Sequence, residues 1–137
     1  MSKDVLVVKD LNMHYETLSG DVSAVKNVSF TVKEGQSFGL VGESGCGKTS
    51  VAMSLLQLQA DNAKISSGSI MLDGIEMVGM SESELREVRW DGISIVFQGA
   101  MNAWNPVIKV GEQIREAIRE HYPCLLYTSD AADDSLR

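Results

Sequence analysis

The chain has 137 residues, 44% of them apolar, with 19 acidic against 12 basic side chains and a formal charge of -7. That is enough for one domain, or part of one, with a real core, while the acidic balance argues against a nucleic-acid groove or an anionic membrane surface as the main partner, so a bound phosphate has to be held locally. Cys46 and Cys124 lack metal-ligand or disulfide spacing, which fits a reducing cytoplasm, and neither a secretory leader nor a membrane span of roughly 18 apolar residues is expected.

The first predicted elements are two β-branched, alternating stretches, DVLVVKDL from Asp4 and VSAVKNVSFTV from Val22, joined by the turn-prone LSGD of residues 18–21. They predict an antiparallel flap. SFGLV at residues 37–41 is an almost continuous apolar run and predicts a strand buried on both faces. A glycine-rich loop follows, and Val51, Leu55 and Leu58 then recur at helical spacing. In SIMLDGIEM, Asp73 and Gly74 supply the positive φ angles of a tight hairpin. SESE at residues 81–84 is a capping-box pattern opening a short helix with Leu85 and Val88. ISIVF at residues 93–97 predicts a second buried strand. Val110, Ile114, Ala117 and Ile118 form one apolar stripe on a last helix, with Glu112, Arg115, Glu116 and Arg119 elsewhere on its surface. No internal repeat is present.

GESGCGKT at residues 42–49 fits the phosphate-loop pattern through Gly42, Gly47, Lys48 and Thr49, with a predicted strand before and a helix after. Glycine lets the backbone turn tightly and aim successive N–H groups at phosphate oxygens, where a Cβ would collide with the ligand. The helix N-terminus adds about half a positive charge. Lys48 supplies a mobile ammonium for the β- and γ-phosphates, and the Thr49 hydroxyl is a hard ligand suited to Mg2+. Glu43, Ser44, Gly45, Cys46 and Ser50 complete the expected lining, Cys46 as a small residue without a catalytic role. Kinases, GTPases and transport ATPases all share this loop.

The flap before the loop, GESGCGKTS itself and the later ISIVFQ together resemble the nucleotide-binding subunit of ABC transporters. FQGAMNAWNPVIKVGEQIREAI, from Phe97 to Ile118, resembles the branch driving dipeptide and oligopeptide uptake, with related nickel importers. The resemblance spans residues 4–122. It implies an α/β fold: an incomplete P-loop NTPase core with an antiparallel β flap, using ATP and Mg2+. It further implies that Tyr15 stacks on adenine, and that Gln98 reaches Mg2+ and the attacking water, so that Lys48 and Gln98 are the catalytic candidates and Thr49 and Gln98 the metal candidates. The implied partners are membrane-embedded permease subunits and a second ATP-binding subunit closing head to tail, at the cytoplasmic face of the membrane. Residues 99–106 and the stripe helix are expected to dock on the permease, with Trp104 either the anchor or a core residue.

Hydrolysis also needs a metal-holding Asp and a carboxylate that orients water. SIMLD imitates the apolar run and Asp of such a strand, but its Asp73 is followed by Gly74 and reads as a turn. LSGD imitates the start of the family's signature, yet feeds a strand. His14 and His121 do not occupy the family's switch position. The expectation is therefore that residues 1–123 are the N-terminal part of an ABC ATP-binding domain, which binds nucleotide without turning it over. Residues 124–134, CLLYTSDAADD, resemble a reading frame through a transposase-end sequencing adapter, and residues 124–137 are expected to be a non-native tail. Two other readings remain: a self-contained nucleotide-binding switch, and another phosphotransfer enzyme with a lid or acceptor-binding acid.

Overall fold

The structure, a computed structural model, describes residues 2–97, 99 and 103–121. Gln98 and the 124–137 tail lie outside the described residues. The chain divides into two units, residues 1–94 and 95–137, each described by itself.

In the first unit, β1 (Asp4–Thr17) and β2 (Gly20–Lys33) form the expected flap hairpin, joined by a turn at residues 18–19. β3 (Ala63–Leu72) pairs antiparallel with the other edge of β1, and β4 (Ile75–Glu76) with β3, giving the order β2-β1-β3-β4. A strict two-residue alternation starting from Val8 would carry Asp10 and Asn12 into the core. A bulge prevents this: Asp10 adopts φ 46, the phase shifts by one, and Leu11 and Met13 become the buried residues. Asn12 locks the shift across three strands, donating to the Asp10 carbonyl at 2.7 Å and to Ser67 Oγ at 3.1 Å, and accepting the Asn27 N–H at 2.9 Å.

One face of this sheet is the core. Leu11, Met13, Ile70 and Met77 are fully buried there. α1 (Lys48–Leu55) contributes Val51 and α2 (Glu82–Val88) contributes Leu85. Local turn and cap chemistry is as predicted. Asp73 and Gly74 take φ 49 and 85. Ser81 Oγ accepts the Glu84 N–H at 3.4 Å, while the Glu84 carboxylate accepts the Ser81 N–H at 2.7 Å.

Two predicted strands are absent. Residues 37–41 pair with no strand, Val41 is 97% exposed, and Phe38 remains 45% exposed although its ring stacks on Phe30 of β2 at 4.8 Å. Residues 93–97 form no strand either: a single parallel bridge joins Arg89 to Ile93, and Val96 is 88% exposed. A strand buried on both faces is completed by ladder partners and covering helices, and among the described residues neither run has them. The predicted stripe of α1 is also shortened, because the helix ends at Leu55, Gln57 turns to φ 54 and Leu58 is exposed.

In the second unit, α3 (Val110–His121) forms as expected. The Gln113 side chain folds back on the preceding loop, accepting the Asn105 N–H at 2.9 Å and donating to the carbonyls of Asn105 at 3.0 Å and Ile108 at 2.8 Å. Trp104 is 46% exposed and Val107 87%, so neither is a core residue in this unit.

Candidate functional site

The glycine loop connects the exposed 37–41 segment to α1. Gly45 and Gly47 adopt φ 80 and 92, backbone that L side chains rarely take, and Gly47 is the left-handed N-cap of α1. No side chain caps this helix end, and its first turn holds no acidic residue. Its leading N–H groups are thus left to a ligand, where the helix dipole favours an anion. For Gly47 the structure adds a reason the sequence did not give. A Cβ there would fall on the Ala24 carbonyl oxygen of β2, so the flap itself, not only the ligand, demands glycine. A Cβ at Gly42 would come within 2.6 Å of Cys46 Sγ, whereas one at Gly45 meets open space.

Lys48 curls over the loop. Its ammonium donates to the carbonyls of Gly42 at 2.8 Å and Glu43 at 2.6 Å, and lies 3.5 Å from Cys46 Sγ. Three donors meet three acceptors of the loop's own making. Entering phosphate oxygens compete for the ammonium with neutral carbonyls, and the charged acceptor makes the stronger bond. The Cys46 N–H bonds the Glu43 carbonyl at 3.3 Å, closing the turn through Ser44 and Gly45. Thr49, one residue into the helix, is exposed.

Tyr15 arrives from β1. Its hydroxyl is 3.2 Å from Ser50 Oγ, and the ring packs half-buried against the core. The fully buried Ser54 hydroxyl donates to the Ser50 carbonyl at 2.8 Å within α1, and the Tyr15–Ser50 contact joins flap to helix. The structure therefore brings Tyr15, residues 42–50 and their helix into one locale. Gln98 falls outside the described residues.

The look-alike motifs are structural. Asp73 sits in the β3–β4 turn and pairs with Lys3 at 2.7 Å. Residues 18–21 are the flap turn and the first two residues of β2, and His14 Nε2 lies 3.8 Å from Asp21. Among the described residues, no three His, Cys, Asp or Glu side chains gather to hold a metal. A hydroxyl such as that of Thr49 is a hard oxygen donor that would fit a magnesium ion brought in by a phosphate ligand. Arg89, which no spacing in the sequence marks, reaches the far end of α1: it donates to the carbonyls of Leu56 at 2.8 Å and Gln57 at 2.9 Å.

Residues 25–136 match the ABC transporter family. The chain is 38% identical over 133 residues to the oligopeptide transport ATP-binding protein of Escherichia coli K12, an alignment covering 97% of this chain and 39% of that protein. It is 38% identical over 117 residues to the dipeptide transport ATP-binding protein of Lactococcus lactis, covering 85% and 34% respectively. It is 40% identical over 126 residues to the glutathione import ATP-binding protein of Salmonella typhimurium, covering 88% and 20%. The chain thus spans well under half the length of these relatives.

Proposed function

Because the chain belongs to the ABC transporter family, we propose that it binds Mg-ATP as the loop-bearing part of a subunit that energises peptide uptake. The observation that carries this reading is the glycine loop: Gly45 and Gly47 at positive φ, an uncapped helix end, and the Lys48 ammonium held at the loop by carbonyls that a phosphate replaces. The loop N–H groups and Lys48 hold the β- and γ-phosphates. Tyr15 lies beside the first turn of α1, within reach of a base whose phosphates sit in that loop. Thr49, and Gln98 in the family's arrangement, would hold a magnesium ion, which would supply neutralisation of the phosphate charge.

Peptide specificity rests on the names of the relatives, which transport dipeptides and oligopeptides or import glutathione. The proposed partners are membrane permease subunits and a second ATP-binding subunit, at the cytoplasmic face of the membrane. Among the described residues no helix is long and apolar enough to cross a membrane itself. Trp104, Val107 and Ile108, exposed on the loop that Gln113 fastens, form the proposed docking ridge for the permease. Hydrolysis is not expected, since among the described residues neither a metal-holding Asp nor, the loop's own exposed Glu43 aside, a water-orienting carboxylate has a candidate near the loop.

Equilibrium titration of the purified chain with ATP, with and without magnesium, tests the binding reading. Saturable binding that weakens at least about tenfold in Lys48→Ala is expected, on the scale of a lost charge-assisted contact to phosphate. Equal affinity in both proteins would remove Lys48 and the loop from the account.

A further inference from the structure

We propose that Arg89 is a positioning residue for the phosphate loop, acting through α1 without touching the nucleotide. The inference rests on the nucleotide-binding role proposed above. α1 has 8 residues, fewer than the roughly 12 to 15 an isolated helix needs, so both of its ends must be held by other elements. The loop end is held by Tyr15 through Ser50 and by the close approach of Gly47 to β2. The other end has no basic residue of its own in its last turn.

Arg89, just past the end of α2, fills that gap. Nε donates to the Leu56 carbonyl at 2.8 Å, Nη2 to the Gln57 carbonyl at 2.9 Å, and Nη1 to the Glu82 carboxylate at 2.8 Å. The planar guanidinium suits this triple hold because its donors diverge in one fixed fork. Its side chain is only 16% exposed, so water competes weakly for these bonds. The cation also sits where the helix dipole is negative. It steadies Gln57 at φ 54, a conformation costly for a residue with a side chain. Arg89 is itself fixed, its N–H bonded to the Leu85 carbonyl at 2.8 Å and its strand-like backbone bridged to Ile93. Two turns of helix transmit displacement stiffly over about 12 Å at 1.5 Å per residue. Movement at Leu56 therefore reaches the N–H groups of Lys48 and Thr49.

The test is calorimetric titration of the full chain and its Arg89→Gln and Arg89→Lys variants with Mg-ATP and with magnesium tripolyphosphate. Arg89→Gln should weaken both ligands by the same factor, roughly tenfold for the loss of charge-assisted bonds, at unchanged stoichiometry. Arg89→Lys, which keeps a cation at the carbonyls, should recover most of that loss. Unchanged affinity in Arg89→Gln together with a lower melting temperature or a reduced binding stoichiometry would make Arg89 merely structural and overturn the proposal. A lysine variant no better than the glutamine variant would overturn it too. Absence of nucleotide binding in the unmutated chain would instead sink the ATP-binding reading itself.

Discussion

Gly45 and Gly47 look alike in the loop but answer to different forces. At Gly45 only the backbone conformation resists a side chain, a cost of about 1–2 kcal/mol. At Gly47 the same conformational cost is joined by a collision with the Ala24 carbonyl, on β2 between the Ser23 and Val25 pairings with β1. Chemical denaturation should show Gly47→Ala losing at least about 2 kcal/mol and clearly more than Gly45→Ala; equal losses would mean the flap yields freely. Tyr15 carries two roles that can be separated. Tyr15→Phe removes only the bond to Ser50 and should keep most ATP binding. Tyr15→Ala should weaken ATP by about 1–3 kcal/mol, the scale of base stacking on an aromatic platform, while a tripolyphosphate loses little. Equal losses for both ligands would leave Tyr15 a packing residue alone.

At the scale of elements, what was legible in the sequence was local chemistry. Asp73 and Gly74 in the turn, Ser81 and Glu84 in the capping box, and the flap strands depend on neighbours a few residues away or on simple alternation, and each forms. The runs at residues 37–41 and 93–97 were misread because composition reports only that a strand would be welcome, while the ladder is made by remote partners. Arg89 was invisible for the same reason, its carbonyl acceptors lying 32 and 33 residues back. Gly47 was found, but only half of its reason. The β3–β4 hairpin carries a pH signature. Partial burial pushes the Glu76 carboxyl up, but the Ser69 hydroxyl and the N–H groups of Ile70, Val78 and Met77 outweigh it and hold the group below its ordinary 4.5. A lowered pKa gives stability that is fully present above 4.5 and lost as pH falls through the folded value. Because the hairpin is solvated, the effect should stay under about 1 kcal/mol. Glu76→Gln should therefore be less stable than the unmutated chain at neutral pH, with the difference vanishing in acid; a difference that persists or grows at low pH would contradict this sign.

At the scale of the whole molecule, the chain joins a well-built phosphate cradle to a fold that spans only 34% to 39% of two of its peptide-transport relatives. The apolar run at residues 37–41 before the loop lies exposed, and among the described residues the site has a lysine, hydroxyls and oriented backbone but, apart from the loop's own exposed Glu43, no carboxylate to direct water. Residues 124–137, proposed as a non-native tail, should be dispensable: their removal takes away three Asp and one Arg, moving the formal charge from -7 to -5, and should leave nucleotide affinity unchanged. The central claim is that this chain binds without turning over. It is tested most directly by following Mg-ATP binding and phosphate release on the same purified sample, alongside Lys48→Ala. The account predicts saturable binding that Lys48→Ala weakens and no steady phosphate release from either protein; sustained turnover by the unmutated chain that Lys48→Ala abolishes would contradict it.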